Sequence, residues 1–420
     1  MRIDENVLVR LAKDTDGRAA KELAYLLLFP SFLFVTVSIT LFAAVSSAVM
    51  ILALVSMLRS REASIFKEIF FKLLFLYFFI NLLSLTQTHY WSESIRGLFK
   101  VFRHVLLCVA VGYVLDTPEK IKKLYPFFFI AAAGAALDAF FQGLTGRDLF
   151  NVRPMTAYVA QSGRLTGPFR HANDFSAYLS LVGVLYLGVA LDGLHFLSKK
   201  KYFLYLVGFA AVLVSLLGTY SRTGWFAFLI AAVLLAVVRR KKIVLAAVAG
   251  LVVWGIFFSP PLVKLRLSSI WDPHGGTVSE RKLLWGEAIA MVKHSPFLGL
   301  GINTYSRNEH FYKAPEPAID SQYAHNGYLQ MAAEIGCLGV LSFLAALFYF
   351  LFGSLRAFWN ARELYFKSSG LALVFGILAF LIHGFFDTGL QSLLLVNLMW
   401  MSLGVAWSIR RALARGLGLA

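Results

Sequence analysis

Two arginines and a histidine have the chemistry to work together in this sequence: Arg222, Arg281 and His325. Arginine keeps its proton and offers a planar fork that matches a phosphate. Histidine titrates near neutrality and can take a proton as a general base. Two fixed positive charges and one imidazole suit an anionic substrate. Each of the three lies in a short polar run. Gly218-Thr219-Tyr220-Ser221-Arg222-Thr223-Gly224-Trp225 is a tight turn into a helix, whose first backbone N–H groups favour anions. In Glu280-Arg281-Lys282-Leu283-Leu284-Trp285 the arginine sits near a helix start, where the dipole opposes a cation unless an anion shares the place. Ala324-His325-Asn326-Gly327-Tyr328 opens another helix. Weaker candidates are Arg170 and His171 in Gly167-Pro168-Phe169-Arg170-His171-Ala172-Asn173-Asp174, Asp387 in Phe386-Asp387-Thr388-Gly389, Asn326, and the pair Arg103 and His104. Each has an ordinary alternative: an arginine snorkelling to headgroups, a solvated helix face, an interfacial histidine, or, for Asp387, a helix cap.

The elements that must position these residues are long apolar runs. The chain has 420 residues, 59% hydrophobic and 15% charged, with a mean hydropathy of +0.70. Soluble domains are about 45–50% apolar and about 25% charged, so this is an integral membrane protein. The runs are continuous, unlike the alternation of a β-barrel, and have the about 17–25 residues of a spanning helix. They predict spans near 24–40, 42–58, 68–86, 98–115, 124–141, 173–193, 202–219, 224–238, 243–258, 325–352, 369–387 and 389–408. The expected fold class is an all-α polytopic membrane protein of about 12 transmembrane helices. Residues 1–23 form a cytosolic N-terminus, and 24–420 a single transmembrane domain that includes the loop 259–324.

The net charge of +17 does not call for nucleic acid, because most of the basic residues fall in short loops between spans. Arg59 and Arg61, Lys120 to Lys123, Lys199 to Lys201, Arg239 to Lys242, Arg356 and Arg362, and Arg410 to Arg415 occupy every alternate loop. The positive-inside rule makes that side cytosolic, with both termini inside. Arg222, Arg281 and His325 then face outward beside lipid, which suits an anionic substrate whose tail stays in the bilayer. The polar start of the chain is unlike a cleavable signal, so the first span acts as an uncleaved signal-anchor. Two outer segments are long, 142–172 and 259–324. Within the second, Ser279 to Lys293 has helical spacing, with Leu284, Ala288, Met291 and Val292 along one face and Ser279 as a cap. His294-Ser295-Pro296-Phe297-Leu298-Gly299-Leu300-Gly301 reads as a helix stop and tight turns. Such a partly helical loop can lie as a lid at the membrane interface.

Several chemistries lack their residues. Cys108 and Cys337 offer neither a disulfide framework nor a metal-ligand spacing. No outer Asp-x-Asp supplies ligands for a divalent metal on a diphosphate. Neither a Walker sequence nor a Gly-x-Ser-x-Gly elbow is present. No metal and no cofactor is expected.

Taken in order, the segments resemble the O-antigen ligase and polymerase superfamily of bacterial envelope glycosyltransferases: Gly-Pro-Phe-Arg-His-Ala-Asn, Ser-Arg-Thr-Gly, Glu-Arg-x-x-x-Trp with His-Ser-Pro-x-x-Gly-x-Gly, then His-Asn. The sharpest part is His325-Asn326, nine residues, then Gly336-x-x-Gly339, which is similar to the signature of the lipid A-core O-antigen ligases. The similarity spans about 155–390; the first five spans resemble the family only in hydropathy. The resemblance implies an inverting, metal-independent glycosyltransferase of GT-C type with a large, partly helical periplasmic loop. It implies a location in the bacterial inner membrane with the active site facing the periplasm. The donor would be a glycan on undecaprenyl diphosphate and the acceptor lipid A-core, with membrane lipid around both. Arg222, Arg281 and Arg170 would bind the diphosphate and His325 would act at the acceptor. Asp387, Asn326, Arg103 and His171 would support them.

Two other readings compete. A polymerase would use the same donor and differ only in its acceptor. A polytopic transporter or flippase would instead place charged or helix-breaking positions near mid-bilayer, and only Glu334 stands inside a span in that way.

Overall fold

In the computed structural model, residues 14–62, 64–149, 163–258, 263–264, 276–313 and 322–415 are described. They form an all-α bundle with no β-strand among them. The helices are α1 (Arg18–Val37), α2 (Ile39–Ser60), α3 (Ile69–Ser84), α4 (Trp91–Val114), α5 (Pro118–Leu124), α6 (Pro126–Thr145), α7 (Ala172–Asp192) and α8 (Lys199–Gly218). They continue as α9 (Arg222–Val238), α10 (Lys242–Phe257), α11 (Gly276–His294), the short α12 (Tyr305–Asn308), α13 (Gly327–Trp359), α14 (Leu364–Phe386) and α15 (Leu393–Ala414).

Each of the twelve expected apolar segments is a helix, but the expected number of spans is not reached in full. Ten segments are long and apolar enough to cross a membrane among the described residues, with α5 and α6 counted as one. The other two, α9 and α10, have 17 and 16 residues. At about 1.5 Å per residue they are roughly 24–26 Å long, short of the about 30 Å hydrocarbon core. Boundaries also shift: the first helix starts at Arg18 and the fourth at Trp91, earlier than their apolar runs.

The middle of the bundle is α7, α14 and α15, the most buried helices. Lipid is as apolar as leucine, so such helices are held by close packing of small residues. A Cβ on Gly188 of α7 would lie 2.5 Å from Ala372 Cβ of α14, and one on Gly376 would lie 2.9 Å from the Leu181 carbonyl oxygen. The two backbones are therefore nearly in contact along their length.

Charge is sorted between the ends. The basic clusters gather at one end, tied by ion pairs. Arg239 and Lys241 hold Asp192 at 2.6 and 3.1 Å, Lys122 meets Glu363 at 2.7 Å, and Arg411 meets Glu62 at 3.3 Å. The starts of α7, α9 and α13 and the end of α14 occupy the opposite end, where α11 is also found.

The loop helix α11 runs from Gly276, so Ser279 is inside its first turn and not its cap. Leu284, Ala288 and Met291 are buried, and the last two pack with Tyr305, Ala324 and Ala333 as a small core separate from that of the bundle. Below it, α13 is broken at Gly336, where φ is 68° and ψ 179°. The turn after α11 fills this break. Leu300 N–H donates to Ala333 O and Gly301 N–H to Glu334 O, each at 2.9 Å, while Cys337 N–H donates to Pro296 O at 2.8 Å. The loop thus satisfies backbone groups that the break releases, as a low-dielectric setting demands. The Glu334 carboxylate completes the clamp by accepting from the backbone N–H of Asn303 and Tyr305 at 2.9 and 3.3 Å and from Gln330 Nε2 at 3.2 Å.

Candidate functional site

Asp387 is the centre of the charged end. It follows the last residue of α14 in extended conformation and is 3% exposed. It does not cap α15, which starts at Leu393 after Ser392. Its Oδ1 accepts the Thr388 N–H at 2.8 Å, and its Oδ2 accepts Asn173 Nδ2 at 2.5 Å. Arg281 of α11 brings a guanidinium nitrogen to 3.6 Å from Oδ2, and His325 brings Nδ1 to 3.5 Å from Oδ1. Burial pushes the Asp387 carboxyl up. His325, the His383 imidazole one turn earlier and the Arg281 guanidinium more than offset this and hold it well below the usual carboxylate range.

Each turn at this end pairs a reactive side chain with a residue that shapes the backbone. Asn326 caps α13, its Oδ1 accepting from Tyr328 N and Leu329 N at 3.0 Å each, so its side chain is occupied by the helix. That cap fixes His325 with φ at 49°, a left-handed conformation uncommon for a non-glycine residue. Ser221 caps α9 by accepting from Gly224 N, and Tyr220 before it has φ at 48°. Gly224 is required by closeness: a Cβ there would lie 2.5 Å from Ser176 Cβ of α7.

Arg222, half-buried, is the first residue of α9. One turn further on, Phe226 meets the ring of Phe386 edge-on with centroids 6.0 Å apart. Since Phe386 adjoins Asp387, this contact brings the start of α9 to the Asp387 end of α14. Trp285, one turn beyond Arg281, similarly meets Phe385 at 6.4 Å. The structure thus brings the three helix starts bearing Arg222, Arg281 and His325 to one helix end bearing Asp387.

The other expected residues do not join. Arg170 and His171 are exposed, and their side chains form no hydrogen bond or ion pair among the described residues. Arg103 is twelve residues into α4, about 18 Å from its start. It is therefore mid-helix and not near the end expected, because α4 begins at Trp91.

Three residues that sequence reasoning passed over complete the network. Arg164 bridges Thr219 O at 2.8 Å and Asn173 Oδ1 at 2.6 Å, and thereby orients the amide that grips Asp387. His383, buried in α14, has Nε2 3.1 Å from Ser176 Oγ. An ionisable residue inside an apolar helix is itself a signal, which would have found His383. Asn173 lay in a motif noted only for its arginine and histidine.

Chemically, a histidine beside a carboxylate and a fixed cation is an arrangement that can serve as an oriented base. The Nδ1 of His325 is buried toward Asp387, whereas the side chain as a whole is 37% exposed. The open part of the ring is the far side, where Nε2 lies. The 3.5 Å contact is too long for a formed hydrogen bond, and such contacts often tighten only with substrate bound.

Fold and site together define an all-helical polytopic membrane protein in which a buried carboxylate meets a histidine and an arginine at one end of the bundle. A family model described as O-antigen ligase matches residues 207–344. Members of that family are ligases and related polymerases, glycosyltransferase-like enzymes of lipid-linked glycans. The matched stretch contains Arg222, Arg281, His325 and the Gly336 break; Asn173 and Asp387 lie outside it. Among curated proteins none matches the chain.

Proposed function

We propose that this protein is an inverting glycosyltransferase of the bacterial inner membrane that moves an O-antigen glycan from undecaprenyl diphosphate to lipid A-core on the periplasmic side. The observation that carries this reading is the meeting of His325 and Arg281 on one buried carboxylate, Asp387. His325 Nε2 removes the proton of the acceptor hydroxyl as that oxygen attacks the anomeric carbon. Asp387, facing Nδ1, fixes the ring and stabilises the imidazolium that forms. The bond to the diphosphate breaks on the opposite face, and Arg222 and Arg281 take up the growing negative charge. Preorganised cations in a low-dielectric site are often the largest catalytic contribution, and arginines supply them without a metal. Arg170, on the exposed turn before α7, meets the donor only as it enters.

The break in α13 is the feature that a transporter reading also expects, but its position and contents favour an enzyme. About 20 residues span the hydrocarbon core, so with Trp359 taken at the inner interface Gly336 falls near the outer one on this reading. The loop 296–301 also occupies its free backbone groups. The proposed orientation, with both termini cytosolic, follows from the basic clusters at the opposite end.

The test is to incubate purified protein with undecaprenyl-diphosphate glycan and lipid A-core, without metal or ATP, and follow the glycan on a gel. Transfer to lipid A-core is expected. Lengthening of the glycan on its carrier would make the protein a polymerase, and no transfer to either acceptor would sink the enzymatic reading.

A further inference from the structure

Beside the His325 turn lies a cavity of about 180 Å³ between α3, α4, α13 and α15. Tyr323, two residues before His325, and Gln391, four residues after Asp387, both line it. Gln391 Nε2 also donates to the Gly327 carbonyl at 3.3 Å, which joins the two turns. The turns that carry His325 and Asp387 thus both border the cavity through these neighbours.

The walls are polar where membrane packing would make them apolar. Asn81 Oδ1, His104 Nε2 and Gln391 Oε1 are buried without a protein hydrogen-bond partner, and all three residues face the cavity. Asn81 is 0% exposed, and its Nδ2 is already given to Tyr77 O at 2.8 Å, so only its acceptor oxygen is left. Buried acceptors without partners are costly, and a polar cavity is built to hold something that donates to them. Two carbonyl-type acceptors repel a phosphate or carboxylate but suit hydroxyl groups. The nearby charges are committed: Lys100 Nζ donates to Asn303 Oδ1 at 2.9 Å, and Glu334 holds the loop. Tyr77 and Trp400 supply aromatic surface in the same walls for the C–H face of a ring.

We infer that this cavity is a sugar subsite that holds the terminal monosaccharide of the lipid A-core acceptor and presents one of its hydroxyls to His325. The volume accommodates one neutral polyhydroxylated ring. The inference rests on the glycosyl-transfer reading and adds to it the place and chemistry of the acceptor.

The test uses the full chain in nanodiscs, with undecaprenyl-diphosphate glycan as donor and lipid A-core as acceptor. Asn81→Leu and Gln391→Leu keep their size but lose the acceptor oxygens. Each is expected to raise the acceptor KM about tenfold or more while the donor KM stays as in wild type. Equal changes in both constants, or no change in the acceptor KM, would overturn the subsite. A second measurement needs no turnover. With Cys337→Ser to remove the exposed native thiol, Val396→Cys places a thiol in the cavity wall, and its rate of labelling by a small methanethiosulfonate is followed. Lipid A-core is expected to slow labelling about fivefold or more, and lipid A without core sugars to leave it unchanged. Equal protection by both lipids, or by neither, overturns the sugar subsite whatever the transfer assay gives. Protection without any transfer by the wild type would instead count against the enzymatic reading alone.

Discussion

Asp387 is held between two groups that a substrate would use, and its charge state governs both. Burial alone would favour its neutral form, yet the imidazoles and guanidinium around it keep the carboxylate ionised. A carboxyl with a depressed folded-state pKa stabilises the fold above its unfolded value of about 3.9, and this contribution fades as pH falls through the folded value. The melting temperature of wild type minus that of Asp387→Asn should therefore be constant from neutral pH to about pH 5 and shrink below about pH 4. A difference that grew on acidification would mean that the carboxyl is not ionised in the fold. Arg281 is half of the same balance. If Arg281 binds the diphosphate as proposed, Arg281→Ala should raise the donor Kd roughly ten- to hundredfold, as titration of labelled donor into nanodiscs would record. An unchanged Kd would assign Arg281 to Asp387 alone.

At the scale of elements, the broken α13 and its loop set the height of the His325 turn. Gly336 cannot carry a side chain: a Cβ there would lie 2.1 Å from Phe297 O, on a backbone with φ at 68°. Gly336→Ala should cost more than the roughly 1–2 kcal/mol of a left-handed alanine, read as a lowered melting temperature and faster proteolysis between α11 and α13. Glu334→Ala should release the same loop, since two backbone donors lose their carboxylate. The sequence carried much of this in outline. Leu284, Ala288 and Met291 showed the buried face of α11, and Pro296 to Gly301 showed a turn. What it did not show was that this turn enters α13, because the partners are backbone atoms and leave no mark on residue type. Glu334 was visible as a lone carboxylate in an apolar run, but its partners, the N–H groups of Asn303 and Tyr305, were not. Arg103 was misplaced for a related reason. The polar first turns of α4, Trp91 to Gly97, do not read as a spanning helix, although they continue one.

At the scale of the whole molecule, one end carries ion-paired basic clusters and the other the Asp387 network. Periodicity and loop charge reveal such sorting, because each span contributes to it independently. They say little about which helix starts converge, and that is why Asn173, Arg164 and His383 were missed. In a background with Cys337→Ser, Lys200→Cys should be closed to a membrane-impermeant maleimide added outside spheroplasts, and Ser306→Cys open to it; the reverse pattern would invert the proposed topology. The central claim, that His325 is the base of a glycosyl transfer, is tested most directly by comparing donor binding and glycan transfer in purified wild type and His325→Ala. The account predicts an unchanged donor Kd with transfer lowered by on the order of 10²–10⁴-fold. Transfer at the wild-type rate by His325→Ala would contradict it.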